Sequence, residues 1–413
     1  MTKKSFDEKL TAYAELAVKV GVNLQPGQRL VIRAPIESAP FVQKMAACAY
    51  QIGSPLVSVM YNDDQLNLIR FQNAPAGSFD TFPEWEADAL VACAERGDAF
   101  IRVAATDPDL LKDENPDDVS VSIKSAQRHL AKYMKYPMSD AIPWLVISMP
   151  IPRWATKVFP GLSDEEATEK LWDAMFKACR MEKEDPIKAW KQHIAALKER
   201  SDYLNAKKFV ELRYKGEGTD LTLGLPKGHI WKSGQSVAKS GVTFVANLPT
   251  EEVFTMGDRN KANGVVKSSK PLNYGGTVID HFAITFKDGK AIEATAEQGE
   301  ETLKKLIETD DGSARLGEIA LVPHRSPISD SGILFFNTLY DENAASHLAL
   351  GRAYRFNLEG GKEMTDEAFK AAGGNDSLVH VDFMIGNDSI DIDGVTESGN
   401  VEPIMRKGEW AFS

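Results

Sequence analysis

The chain has 413 residues, a length that suits two domains and allows a large buried core. Its 43% apolar, 26% charged and 9% aromatic residues are ordinary globular usage, which excludes disordered, collagen-like and coiled-coil classes. Against 60 acidic residues stand 48 basic ones, a net charge of −12, so no nucleic-acid partner is expected.

Cys48, Cys93 and Cys179 stand far apart, without the spacing of a disulfide framework or a zinc knuckle. They suit a reducing cytoplasm. The opening stretch, Met1 to Gly21, is charged throughout and lacks the apolar segment of a signal peptide. The densest apolar run, Pro143 to Pro152, falls short of the roughly 18 residues of a membrane helix. A soluble cytoplasmic protein with no membrane partner is expected.

Through the first 200 residues, helical and strand periodicities alternate. Leu10, Tyr13, Ala17 and Val20 mark a helix that Gly21 is placed to cap. After Pro26-Gly27, Arg29 to Arg33 reads as a strand. A second helix enters at Ser38, carries Pro40 in its first turn and closes at Gly53. Strands are expected over Pro55 to Tyr61, Ala99 to Ala104 and Trp144 to Met149, with helices over Pro83 to Arg96 and Val121 to Lys135. That order implies an α/β domain with a mostly parallel sheet and helices on both faces. No GxxxxGK[ST] or GxGxxG loop supports a nucleotide site.

Two more helices, Asp164 to Met181 and Pro186 to Ala206, close this half, and the boundary is set near residue 200. The expected domains are 1–200 and 201–413. In the second, Phe209 to Leu225 reads as two strands around a turn. Val278 to Phe286 alternates as a strand before the Asp288-Gly289 hairpin turn, and a helix follows from Glu300 to Glu308. An α+β domain with mixed or antiparallel sheet is expected.

Four segments in that half carry candidate chemistry. In Val379 to Ile385 (VHVDFMI), His380 and Asp382 share one strand face, about 7 Å apart at Cα. Together they suit one metal or two adjacent ones, or simply a polar pair on a half-exposed strand. Small residues precede His347 in Glu342 to Gly351. If Asp341 or Asn343 caps a short helix there, Gly351 ends it and Tyr354 returns to the same pocket. In Asn247 to Thr255 (NLPTEEVFT), Glu251 and Glu252 sit among apolar neighbours and face opposite sides if extended. In Leu316 to Val322, Glu318 lies at the mouth of an apolar strand. HExxH, HxxEH, GxSxG and the common cysteine-protease contexts are all absent.

PTEEVFT, LGEIALV, ASHLALG…Y and VHVDFMIG occur in the order found in the thermophilic-type metalloaminopeptidases, the aminopeptidase T, aminopeptidase S and PepS group. The chain resembles that family along essentially its whole length. The resemblance implies that Glu252, Glu318, His347, His380 and Asp382 ligate metal, with Tyr354 at the metal pair and Glu318 as the bridge. It also implies two divalent ions (cobalt, zinc or magnesium), short peptide substrates with a free N-terminus, and a homodimer.

Three carboxylates offset most of the charge on two divalent ions, and such a pair activates water, polarises a carbonyl and anchors an amine. Glu251 is then a candidate general base, or a structural carboxylate beside a ligand. Tyr354 is a candidate metal ligand or oxyanion donor. Two other readings compete with the aminopeptidase: a different dinuclear amide or ester hydrolase, and a two-domain binding protein with a calcium or magnesium site. Two histidines weigh against the oxygen-only preference of calcium.

Overall fold

In the computed structural model, which describes residues 4–274 and 277–412, strand Leu30–Pro35 is central to a four-stranded parallel sheet. The order across that sheet is Val57–Asn62, Leu30–Pro35, Ala99–Val103, Trp144–Ile147. Helices Ala39–Ile52 and Pro116–Met138 lie on the connections between parallel neighbours, which a short hairpin cannot join. Val31 aligns with Phe100, and both pack with Leu90, Val91 and Tyr133 from helices Glu84–Glu95 and Pro116–Met138. Helix Phe6–Leu16 and its continuation Ala17–Gly21 press on the opposite face, where Leu145 points. Gly21 closes a π-helical turn, and its value there is space: a Cβ would stand 2.5 Å from the Leu145 side chain.

Local sequence sets several of these boundaries. Ser5 with Glu8, and Ser163 with Glu166, form capping boxes that satisfy the first free N–H groups of their helices. Pro40 sits in the first turn of Ala39–Ile52 and Gly53 ends it. The helix expected from Val121 begins earlier, at Pro116, because Asn115 caps it.

Antiparallel pairing takes over in the second half. One sheet has eight strands, with Lys290–Thr295 at one edge and Glu409–Trp410 at the other. A second has five, in the order His380–Met384, His347–Gly351, Leu316–Leu321, Val253–Thr255, Lys232–Ser233. Leu212, Tyr214, Leu221, Phe282, Ile319, Leu348 and Phe383 belong to one continuous core. No helix among the described residues is long and apolar enough to cross a membrane.

Three expectations change. The alternating run from Val278 to Phe286 is two strands, Thr277–Ile279 and Ala283–Lys287, in different sheets. The break is made by Asp280, whose carboxylate accepts the His281 N–H, while His281 adopts a φ of 49°. The segment ending at Gly351 is a strand rather than a helix. Helix Thr338–Asp341 and the turn Glu342–Ala344 stop short of it, and His347–Gly351 is paired on both sides. The chain also divides less simply than one cut near residue 200. One compact unit comprises Met1–His193 with Gln235–Pro249, the other Ile194–Gly234 with Thr250–Ser413.

Gly317 marks a close approach within the five-stranded sheet. A Cβ there would lie 2.2 Å from the Gly351 carbonyl oxygen and 2.5 Å from that of Arg352. Gly317→Ala is therefore expected to cost about 1–3 kcal/mol, the usual penalty for forced overpacking. Thermal denaturation measures it, and an unchanged midpoint would mean that these strands separate freely.

Candidate metal centre

Strand register gathers the candidate ligands on one sheet face. Glu318 is aligned with Ala349, and Ala349 with Asp382. Side chains opposite one another in an antiparallel pair share a face, as do side chains two apart on a strand. His347 therefore joins Ala349, and His380 joins Asp382. Phe254 is aligned with Ala320, and Ala320 with His347, so Glu252, two residues before Phe254, reaches the same side. Ala349 lies between two acids and is small, which leaves the space above it open.

The resulting distances are short. His347 Nε2 lies 3.4 Å from Glu252 Oε2 and 3.7 Å from Glu318 Oε1. His380 Nε2 lies 3.6 Å from Glu318 Oε2 and 3.4 Å from Asp382 Oδ1. Glu252, Glu318 and His347 form one set of possible ligands, and Glu318, His380 and Asp382 a second, each with its donor atoms within 4.8 Å. Glu318 belongs to both.

Backbone carbonyls aim the two imidazoles. His347 Nδ1 donates to Ala345 O at 3.1 Å, and His380 Nδ1 donates to Arg352 O at 2.7 Å. A carbonyl only accepts, so each Nδ1 carries the hydrogen and each Nε2 is turned to the carboxylates. Glu318 Oε2 and Asp382 Oδ1 are buried and make no hydrogen bond among the described residues. Buried carboxylate oxygens without donors are costly, and a cation satisfies them. The donor set fits a divalent metal.

Burial and the neighbouring charges together set the proton affinity of each group in the cluster. Burial opposes charge on His347, but Glu318, Glu252 and Asp382 override it and lift the imidazole to about 10. Burial likewise opposes charge on His380, and Asp382 and Glu318 raise it to about 10. Burial lifts Glu252 to about 8, with His347 pulling the other way. For Asp382 burial is outweighed by His380 and His347, which hold its carboxyl below the usual range.

Tyr354 stands at the rim of this group. Its ring centre is 5.0 Å from that of His380, and it stacks on Phe356 at 5.1 Å. Burial, reinforced by Glu318 and Asp382, raises its phenol well above 10. Glu251 lies outside both ligand sets. It is buried, its N–H donates to Asn343 Oδ1 at 2.7 Å, and its charge acts on Arg200.

One acid escaped the sequence reading. Burial pushes Glu342 well above the ordinary carboxyl range, and Glu252 and Asp382 add to the effect. Its turn packs on the strand of His380 and Asp382. The only signal was its position beside the small-residue run before His347, and no spacing rule links it to the distant acids.

Residues 6–410 match the thermophilic metalloprotease (M29) family. The chain belongs to that family. It is 51% identical to aminopeptidase 2 of Geobacillus stearothermophilus over 407 residues, covering 98% of each chain. Aminopeptidase AmpS of Bacillus subtilis is 47% identical over 408 residues, covering 99% of this chain and all of its own. Among solved structures, wild-type AmpT from Thermus thermophilus superimposes with a TM-score of 0.94 at 43% identity, covering 99% of this chain and all of that one. The buried Glu/His cluster is thus the metal-binding cluster of an M29 metalloprotease.

Because an imidazole must lose a proton before its Nε2 can donate to a metal, affinity should rise with pH and level off only above about 10, where the two histidines are half deprotonated. Loading the chelated protein at pH 7 should release at least one proton per chain. Calorimetry in buffers of different ionisation enthalpy counts these protons, and binding without release would contradict the cluster's protonation.

Proposed function

We propose that this chain is a metalloaminopeptidase that removes N-terminal residues from short peptides at a dinuclear centre. Family membership and the aminopeptidase relatives support the reaction class. The observation that carries the dinuclear reading is the division of Glu318, with Oε1 toward His347 and Oε2 toward His380. Glu252, Glu318 and His347 would hold one ion, and Glu318, His380 and Asp382 the other, with Tyr354 beside them.

Two bound cations would supply a polarising centre for the carbonyl, a more acidic water and an anchor for the free α-amine. The protein groups supply the rest. Glu251 accepts the proton of the attacking water and returns it to the departing amine nitrogen. The protonated phenol of Tyr354 donates to the oxyanion as the carbonyl becomes tetrahedral, a role its raised pKa supports. Phe254 and Phe356 pack on the Tyr354 ring and limit its rotation.

Imidazole ligands favour zinc or cobalt, while magnesium rests on the family resemblance. The homodimer rests on the resemblance as well. The cytoplasmic location is supported by the three free cysteines, Cys48, Cys93 and Cys179.

Glu318→Gln should abolish peptidase activity and remove at least one equivalent of metal while the fold is kept. An amide does not offer two anionic oxygens to two ions. Metal analysis beside circular dichroism checks this, and two metals with full activity would remove Glu318 from the bridge.

The amine anchor has a separate test. One tripeptide is assayed with a free and with an acetylated N-terminus, metal present. The free peptide should be cleaved and the blocked one left intact, because an amide nitrogen is a poor metal ligand. Equal cleavage would leave only a broader metal-dependent hydrolase.

A further inference from the structure

Far along the sequence from the metal ligands, the parallel sheet carries a second arrangement of charge. Its strand order reverses between Leu30–Pro35 and Ala99–Val103. From the first strand the chain passes to Val57–Asn62 on one side, and from the second to Trp144–Ile147 on the other. In open α/β sheets, ligands settle at such a reversal, beyond the carboxyl ends of the strands. Arg33 and Arg102 face each other across it in register, near the carboxyl end of each strand.

These two arginines share the face that carries Val31 and Phe100, two residues earlier on each strand. Tyr133, from the helix covering that face, is near enough for both guanidinium groups to act on its phenol. Arg33 is partly neutralised, with Nη2 3.0 Å from Glu86 Oε1. Arg102 has no such partner: the charged group acting on it is Arg33, with Tyr133 beside it, and it makes no hydrogen bond or ion pair among the described residues. The Tyr133 hydroxyl is also uncommitted to any described residue. Like charges placed directly opposite on neighbouring strands repel.

We propose that Arg33, Arg102 and Tyr133 form a binding site for the oxyanion of a small ligand, a phosphate ester or a carboxylate. An oxyanion between the guanidinium forks takes parallel N–H···O bonds from each, relieves their repulsion and accepts the tyrosine O–H. The apolar floor formed by Val31 and Phe100 lies next to this charge, so a ligand with an apolar portion gains contact area as well.

The test uses the metal-loaded enzyme and calorimetric titration at constant ionic strength, with inorganic phosphate in one arm and acetate in the other. Saturable binding is expected, and in the double variant Arg33→Met/Arg102→Met the affinity should fall at least tenfold. Tyr133→Phe should weaken it by a smaller factor. Phosphate binding more tightly than acetate assigns the site to phosphorylated ligands, and the reverse assigns it to carboxylates. Any phosphate held at the metal centre is common to wild type and variant and cancels in the comparison. Arg102→Lys keeps the charge but loses the fork, so it should show an intermediate loss even if the double variant folds poorly. Peptidase turnover and circular dichroism of the folded variants should match wild type. Equal affinity in wild type and Arg102→Lys, or no saturable binding in either arm, overturns the proposal.

Discussion

Three carboxylates and two imidazoles sit together on a largely buried sheet face, and the carboxylates repel one another wherever water cannot screen them. Every other feature of the centre follows from how that repulsion is met. Among the protein's own groups it is met by positive imidazoles, both lifted to about 10 by the acids despite burial. A divalent cation supplies the same compensation with more charge and more directional bonds, and a bound ion reverses the local proton preferences. Metal uptake is therefore an exchange of one kind of positive charge for another.

The sheet makes such a dense cluster tolerable. Antiparallel pairing fixes side-chain direction at every position, so one register brings Glu318, Asp382, His347 and His380 together from three strands. A shift by one residue on any strand would turn its candidate ligands to the opposite face. Ala349 and Ala320 occupy the positions between the candidate ligands, and Gly317 allows the Glu318 strand to approach the end of the His347 strand. The ring Nδ1 bonds to Ala345 and Arg352 carbonyls then remove the remaining rotational freedom. Asn343 extends this support by receiving the Glu251 N–H and donating to Leu339 O, which ties the proposed proton acceptor to the segment before His347.

The two units manage charge in different ways. The second concentrates acids where cations are wanted. In the first, two arginines share a register position at the reversal of a parallel sheet, and one of them has no acid beside it. Both arrangements are stable in the folded chain because the surrounding strands are fixed by apolar packing, not by the charges themselves.

Sequence by itself determined the parts that depend on near neighbours. Helical and strand periods announced the alternating first half, Pro40 and Gly53 bounded a helix, and Asp288-Gly289 made its hairpin, because propensity and capping act within a few residues. The shared face of His380 and Asp382 was legible for the same reason, since strand alternation has a period of two. The remaining candidate ligands follow only from family resemblance, because no local rule relates Glu252 to Glu318 or His347. Tertiary structure alone decided the strand at His347–Gly351, the break at His281, the return of Gln235–Pro249 to the first unit and the placing of Glu342 near Glu252 and Asp382. Each of these depends on which distant segment supplies a hydrogen-bond partner or excludes water, and pairing between residues far apart in the chain leaves no periodic trace in either one.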